Sequence, residues 1–327
     1  MRIGINGMGR IGRLALRAIR ERYPDTLHVV AINEPAPLEQ IAHLLRRDTI
    51  YGRQFGAILI DSGSLILDGQ RVKYLTRPLM AWWSEGVDLV LECAGGGPDG
   101  NKARRHLELG ASAVLISSPA PNVDATLIMG VNEDDYDKEK HRVISMASCT
   151  ANCVGPLVKI VKGEFGLLGA EFATINAYTN SQRLVDAPHR DLRCSAAAAL
   201  NIIPSSSSAV PILQNLFPDV VIWGRAYRVP IACGSLALLR LTVDSVLPVP
   251  VITGIQTWLQ SQATDIIGYS DEPMVSSDII GDSHSAMIDG DQVEAKGRVL
   301  HISAWYDNEY AYACRLADMA MLIAGGR

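Results

Sequence analysis

The sequence has no long run of lysine or arginine, and its 30 basic residues are outnumbered by 35 acidic ones, for a net charge of −5. That argues against nucleic acid as a primary partner. No apolar stretch approaches the ~20 residues of a membrane span. The opening Met1-Arg2-Ile3-Gly4-Ile5-Asn6 enters a strand pattern at once, without the charged and apolar regions of a leader. A cytoplasmic protein with no membrane partner is therefore expected. The six cysteines (Cys93, Cys149, Cys153, Cys194, Cys233 and Cys314) lack the regular spacing of a disulfide framework. Cys149 and Cys153 lie one helical turn apart but have no histidine near them, so no metal site is expected. Aromatic residues are only 6% of the chain, yet the apolar share is 48%. Over 327 residues that is enough to fill two cores, and two domains are the expectation.

The first half alternates apolar runs with amphipathic stretches. Strands are expected at Arg2–Asn6, His28–Asn33, Val87–Cys93, Ala113–Ile116, Thr126–Val131 and Val143–Met146. Helices are expected from Arg10 to Glu21, through Leu38–Leu45 and near Asn101–Leu109. This alternation builds a parallel sheet covered by helices. After Cys149 longer alternating strands appear at Glu171–Thr179, Arg225–Val229, Leu236–Val246 and His301–Trp305, the pattern of a mainly antiparallel sheet. Between them Asn180–Ser208 carries Pro188, Pro204 and four consecutive serines, a length of loop that is usually functional. The fold expected is α/β: a Rossmann dinucleotide-binding domain over 1–148, completed by a C-terminal helix in 308–327, and an α+β catalytic domain over 149–307.

Gly7-Met8-Gly9-Arg10-Ile11-Gly12 follows the first strand and opens the first helix, the context a dinucleotide fingerprint requires. Gly7 permits the tight turn, Gly9 lets a pyrophosphate reach the backbone, and Gly12 lets helix and strand pack closely. Glu34 stands 22 residues beyond Gly12, at the end of the second strand. A carboxylate there accepts ribose hydroxyls and repels a 2′-phosphate, so NAD is expected rather than NADP.

Ser148-Cys149-Thr150-Ala151-Asn152 lies between a strand and an apolar-periodic run, which sets Cys149 at a helix N-terminus. The free amides and dipole there favour the thiolate, the reactive form. Twenty-seven residues on, on a strand where a partner base is expected, stands Asn176 instead of a histidine.

These segments, with Asp-Ala-Pro-His-Arg-Asp-Leu-Arg, Ala-Leu-Asn-Ile-Ile-Pro, Arg-Val-Pro and Trp-Tyr-Asp-Asn-Glu-Tyr, cover essentially the whole chain. Together they resemble the phosphorylating glyceraldehyde-3-phosphate dehydrogenase family and its erythrose-4-phosphate dehydrogenase relatives. The resemblance implies that Cys149 captures an aldehyde and that inorganic phosphate cleaves the resulting thioester. It places Gly7, Gly9, Arg10, Ile11, Gly12, Asn33, Glu34, Ser117 and Asn308 around NAD, with Asn308 on the nicotinamide carboxamide. It places Ser148, Thr150, Thr179, Ser207, Ser208 and Arg228 around two anion sites. The long Asn180–Ser208 stretch matches a loop that reaches a neighbouring subunit, implying a homotetramer acting on a small anionic aldehyde.

Three positions depart from the family pattern. Asn176 replaces the histidine, and an amide cannot accept a proton at neutral pH, which removes help worth roughly 10²–10⁴ in rate. Cys194 replaces an arginine expected on the substrate's terminal phosphate, a contact worth ~1.5–3 kcal/mol. Ser207-Ser208 replaces Thr-Gly. Altered substrate or reduced rate is the expectation, with two alternatives: an erythrose-4-phosphate dehydrogenase-like or other aldehyde substrate, and a non-catalytic NAD-binding homologue.

Overall fold

The structure, a computed structural model, describes residues 1–53, 56–76, 82–95, 97–247, 258, 261 and 264–325. The chain forms two compact units, Met1–Ala147 with Tyr312–Arg327, and Ser148–Ala311.

The first unit opens with β1 (Arg2–Asn6), α1 (Arg10–Arg22), β2 (His28–Asn33) and α2 (Leu38–Arg46). Ile3 and Ile5 of β1 are fully buried, and α1 puts Leu14, Ala15, Ala18 and Ile19 inside at helical spacing. Two hairpins follow, β3 (Ile58–Asp61), β4 (Ser64–Leu67) and β5 (Gln70–Leu75). Their tight turns, Ser62-Gly63 and Asp68-Gly69, have positive φ at both central residues, as the strand twist demands. The remaining elements are β6 (Leu89–Glu92), α3 (Gly100–Ala103), α4 (Arg105–Glu108), β7 (Ala113–Ile116), β8 (Ala125–Thr126) and β9 (Val143–Ser145). The sheet runs β3-β4-β5-β2-β1-β6-β7-β9-β8, parallel from β5 to β8.

Three expectations need correction here. The helix expected near Asn101–Leu109 is two short helices, because the chain tightens where the Leu107 amide bonds the Arg104 carbonyl, an i→i+3 contact. The strand expected over Thr126–Val131 ends at Thr126. There the Asn132 side chain accepts from the Ile128 amide and Gly130 takes a positive φ, turning the chain out of the sheet. The hairpins over 58–75 add an antiparallel edge that the alternation did not signal.

The second unit comprises α5 (Cys149–Phe165), β10 (Leu167–Ala177), β11 (Ile203–Ser205), α6 (Ala209–Leu216), β12 (Val221–Val229), β13 (Ser235–Val243), β14 (Ile267–Ser270), β15 (Ala286–Asp289), β16 (Glu294–Lys296) and β17 (Val299–Tyr306). Its order is β11-β12-β10-β13-β17-β15-β14, with β16 beside β17. Most pairs are antiparallel, but β10–β12 and β14–β15 are parallel, so the sheet is mixed. The parallel β10–β12 pair needs a long crossover, and the serine-rich segment with α6 supplies it. Alternation along β10 buries Ala170, Phe172, Thr174 and Asn176 on one face. Val221, Trp223 and Leu238 reach the surface from the other. The last helix, α7 (Tyr310–Ile323), starts in this unit and continues in the first. Gly326 and Arg327, within the C-terminal helix expected over 308–327, lie outside the described residues. Among the described residues no helix is long and apolar enough to cross a membrane.

Candidate active site

Two glycines of the first turn have a steric reason, and the third leaves its backbone open. Gly7 sits at φ +94, and a β-carbon there would come within 2.6 Å of the Ala94 backbone. A β-carbon on Gly12 would stand 2.0 Å from the Gly7 carbonyl oxygen. Gly9, the N-cap of α1, has nothing within 4 Å on its β-carbon side, so that side of the backbone is open to a ligand. Arg10 and Ile11 form the first turn of α1, where unbonded amides and the helix dipole suit a pyrophosphate. The Arg10 guanidinium itself is engaged by Asp48 and stacks over Tyr51. Glu34 lies against the turn, its Oε2 accepting from the Met8 amide at 2.7 Å and its Oε1 from the Ala36 amide at 3.1 Å. Asn33 is buried and donates to Asn6 Oδ1, while its carbonyl accepts from the Gly7 amide. The Ser117 amide bonds the Glu92 carbonyl across the same strand ends. An open glycine backbone, a helix N-terminus and a carboxylate at the next strand end fit an NAD adenosine and pyrophosphate.

In the second unit Ser148 caps α5, its Oγ accepting from the Ala151 amide at 3.1 Å, and Cys149 is the first helical residue. The turn into the cap is strained: Ala147 takes φ +57, which a β-carbon disfavours. Asn152 buttresses it, its Nδ2 donating to the Ser148 carbonyl at 3.0 Å. Cys149 is partly exposed as a residue, but its thiol is desolvated. Burial pushes the thiol above its ordinary value of 9.0, against the pull of the Arg228 guanidinium, of the Thr150 amide and hydroxyl, and of the Cys149 amide. Desolvation thus works against the thiolate that the helix N-terminus and the cation favour. Cys153, one turn on, is pushed up further by burial and by its neighbour Cys149.

Asn176 is buried near the end of β10, paired in register with Arg228 of β12. Its Nδ2 donates to Thr174 Oγ1 at 2.8 Å and to the Thr174 carbonyl at 3.2 Å. Its Oδ1 accepts from the Tyr306 hydroxyl at 2.8 Å, which lies 3.2 Å from Thr150 Oγ1. Both ends of the Asn176 amide are thus engaged by Thr174 and Tyr306, two residues the sequence reading passed over. Tyr306 lies inside the Trp-Tyr-Asp-Asn-Glu-Tyr segment, two residues before Asn308.

Arg228 donates from Nη1 to the Ala177 carbonyl at 3.0 Å, and its buried Nε has no partner among the described residues. A buried guanidinium N–H left without an acceptor close to a thiol suits an anionic substrate. Thr179, just beyond β10, has its hydroxyl 2.8 Å from Ser181 Oγ. Ser208 is the N-cap of α6, and Ser207 accepts from the Ala209 amide at 3.4 Å. Asn308 Oδ1 accepts from Ser235 Oγ at 3.1 Å. Cys194 is buried in a small cluster with Ala198 and Ile203, packed by Tyr178. Four of the histidines bond elsewhere: His106 with Glu92 and Trp82, His141 with the Asp137 amide, His189 with Asp191 and His284 with Asp282.

Comparison with known proteins agrees with this layout. Residues 1–99 match the family model "Glyceraldehyde 3-phosphate dehydrogenase, NAD binding domain", and residues 148–308 match "Glyceraldehyde 3-phosphate dehydrogenase, C-terminal domain". The glyceraldehyde-3-phosphate dehydrogenase of Priestia megaterium is 38% identical over 331 residues, covering 99% of this chain and 98% of its own. Glyceraldehyde-3-phosphate dehydrogenase 2 of Bacillus subtilis is 38% identical, with 99% and 97% covered. Glyceraldehyde-3-phosphate dehydrogenase 1 of Streptomyces avermitilis is 39% identical, with 99% and 98% covered. The chain belongs to the glyceraldehyde 3-phosphate dehydrogenase family, an NAD-dependent oxidoreductase whose first unit holds the cofactor.

Proposed function

We propose that this protein oxidises a small anionic aldehyde through a Cys149 thioester that inorganic phosphate resolves, at a rate reduced, or on a substrate altered, by Asn176 and Cys194. The observation that carries the reading is a capped helix N-terminus presenting Cys149 within the field of Arg228. The Cys149 S–H bond breaks as the sulfur adds to the aldehyde carbon; a C–S bond forms, the carbonyl electron pair goes to oxygen, and that oxygen takes up the proton the sulfur gave up. Ser148, Thr150 and Arg228 surround that centre, with Thr179 and Ser207-Ser208 as the expected anion ligands. Bound NAD supplies the hydride acceptor, and Asn308 is the residue assigned to orient its carboxamide. Oxidation requires the new hydroxyl to lose its proton, and Asn176 cannot take it, so water must. Phosphate oxygen then attacks the thioester carbon and the sulfur leaves as thiolate.

The assembly proposed is a homotetramer in the cytoplasm. The exposed Leu184, Val185, Leu192, Leu200 and Ile202 along the 178–202 segment support it, since so many apolar side chains in one connection call for a covering surface.

A second reading, a non-catalytic NAD-binding homologue, is favoured by the engagement of Asn176 at both ends and by the raised thiol. NAD reduction with glyceraldehyde 3-phosphate and phosphate separates the two. Turnover that disappears in Cys149→Ala supports the enzyme. Unaltered NAD binding with no Cys149-dependent turnover on any aldehyde supports the homologue.

A further inference from the structure

Ser235 opens β13, and the strand register sets it opposite Tyr306 of β17, two residues before Asn308. It is fully buried, and among the described residues its hydroxyl has one hydrogen-bond partner, Asn308 Oδ1 at 3.1 Å. The backbone on both sides of this contact is fixed. Gly234, just before Ser235, takes φ +85, and a β-carbon there would stand 2.0 Å from the Ser276 carbonyl oxygen. Asp307, just before Asn308, is buried; its Oδ1 accepts from the Glu309 and Tyr310 amides at 2.9 and 2.8 Å, and its Oδ2 from the Gly281 amide at 2.8 Å. What is left to decide is which end of the Asn308 amide turns inward.

The buried hydroxyl decides it. A hydroxyl has one proton to give, and burying that proton without an acceptor costs free energy. With Oδ1 inward the proton is bonded. With the amide flipped, Ser235 would face Nδ2, which only donates, and its own proton would be stranded. Cys233 gives no reason for the flip. Its thiol lies 3.3 Å from Asp307 Oδ1 and 3.7 Å from Asn308 Oδ1, so its proton has the stronger acceptor in the carboxylate, and its sulfur is only a weak acceptor for Nδ2. Oδ1 is therefore held inside, and Nδ2, with no partner among the described residues, is left to donate outward.

We propose that Ser235 is a positioning residue for the cofactor: by holding Asn308 Oδ1 it makes Asn308 a pure donor, which takes the nicotinamide carboxamide by its oxygen and not by its NH2 group. This rests on the assignment of Asn308 to that carboxamide in the proposed function. A carboxamide offers an acceptor oxygen and an amino donor, and only the oxygen pairs with Nδ2. Without the Ser235 hydroxyl the Asn308 amide is free to flip and meets either end of the carboxamide, so the ring loses its defined partner.

Calorimetric titration of the full chain reads this without turnover. The ligands are NAD, ADP-ribose, which lacks the ring, and the 3-acetylpyridine analogue of NAD, which keeps the carbonyl oxygen and carries a methyl in place of NH2. In Ser235→Ala the NAD affinity should fall about fivefold, the worth of one hydrogen bond, while ADP-ribose stays within about twofold of the parent. A merely structural role would weaken both ligands alike, and that result, or no change in either, would overturn the proposal. In the parent chain the acetylpyridine analogue should bind within about threefold of NAD. Affinity no better than that of ADP-ribose would show the NH2 to be the group held, and would overturn it. Equal affinities of NAD and ADP-ribose in the parent would also overturn it, since Asn308 would then hold nothing of the ring. These parent-chain comparisons need no variant and decide alone if Ser235→Ala fails to fold. The predicted split without Cys149-dependent turnover would reject the aldehyde oxidation and leave the role of Ser235 standing; turnover without the split would do the reverse.

Discussion

At the scale of single residues the chain separates the proposed nucleophile from its activation. Cys149 is placed by a strained turn, a serine cap and an asparagine buttress, yet burial keeps its thiol above 9.0. Because the thiolate is the reacting form, turnover should keep rising with pH through neutrality into the alkaline range rather than level off near pH 7. A pH–rate profile checks this, and a plateau already reached at neutral pH would contradict it. Asn176→His should raise kcat with glyceraldehyde 3-phosphate by roughly 10²–10⁴ if a proton acceptor is all that is missing. No gain would place the fault at the anion sites. Cys194 behaves differently, since it faces Ala198 and Ile203 in a small core. Cys194→Arg would overfill that core and strand a charge, and should cost about 1–3 kcal/mol of stability, read as a lower Tm, rather than restore phosphate affinity.

At the scale of elements, the dinucleotide turn was legible in the sequence because Gly7 and Gly12 answer local steric demands and Gly9 leaves its backbone open to a ligand. Gly7 and Gly12 each sit where a β-carbon would strike backbone, and Gly9 faces open space. That difference predicts a split between two variants. Gly12→Ala should lose both stability and NAD binding, because its β-carbon meets the Gly7 carbonyl and α1 must lift from β1. Gly9→Ala should stay within about 0.5 kcal/mol of the parent in stability while its NAD affinity falls, as thermal melts and calorimetric titration would show. Equal stability losses in the two would contradict the assignment. The Asn176–Tyr306 contact, by contrast, joins residues 130 apart and follows from the register of β10, β13 and β17. Alternation shows which face a residue takes but not which distant strand lies beside it, so Tyr306 and Thr174 were invisible as partners. The short helices at 100–108 and the hairpin edge were missed for the opposite reason: their boundaries are set by single turn bonds rather than by periodicity.

At the scale of the whole molecule, acid stability and assembly follow from charge and surface. Burial opposes ionisation of Asp48, but the Tyr51 and Ile50 amides and Arg10 outweigh it and hold the carboxyl below its ordinary 3.8. Asp124 is likewise held down against burial by Arg104 and by the Val143 and Arg142 amides. Both carboxyls are depressed in the folded state, so their stabilisation is complete above about pH 4 and drains as pH falls through and below 3.8. Asp48→Asn should lower the Tm at neutral pH more than at about pH 3, where the parent has already lost much of that contribution, and equal losses in melts at the two pH values would contradict this. Trp223, 68% exposed on the outer sheet face, and Leu192, 85% exposed in the 178–202 segment, are expected to be covered in the proposed tetramer. Sedimentation of the native chain should give four times the monomer mass, and Trp223→Glu should shift it toward smaller species.

The central claim is that Cys149 carries an NAD-linked aldehyde oxidation despite the amide at position 176. Absorbance of NADH formed with glyceraldehyde 3-phosphate, phosphate and NAD tests it most directly, run beside Cys149→Ala. The account predicts slow formation that requires phosphate and disappears in the variant. Formation at the same rate in Cys149→Ala, or none with any aldehyde at any pH at which the fold survives, would contradict it.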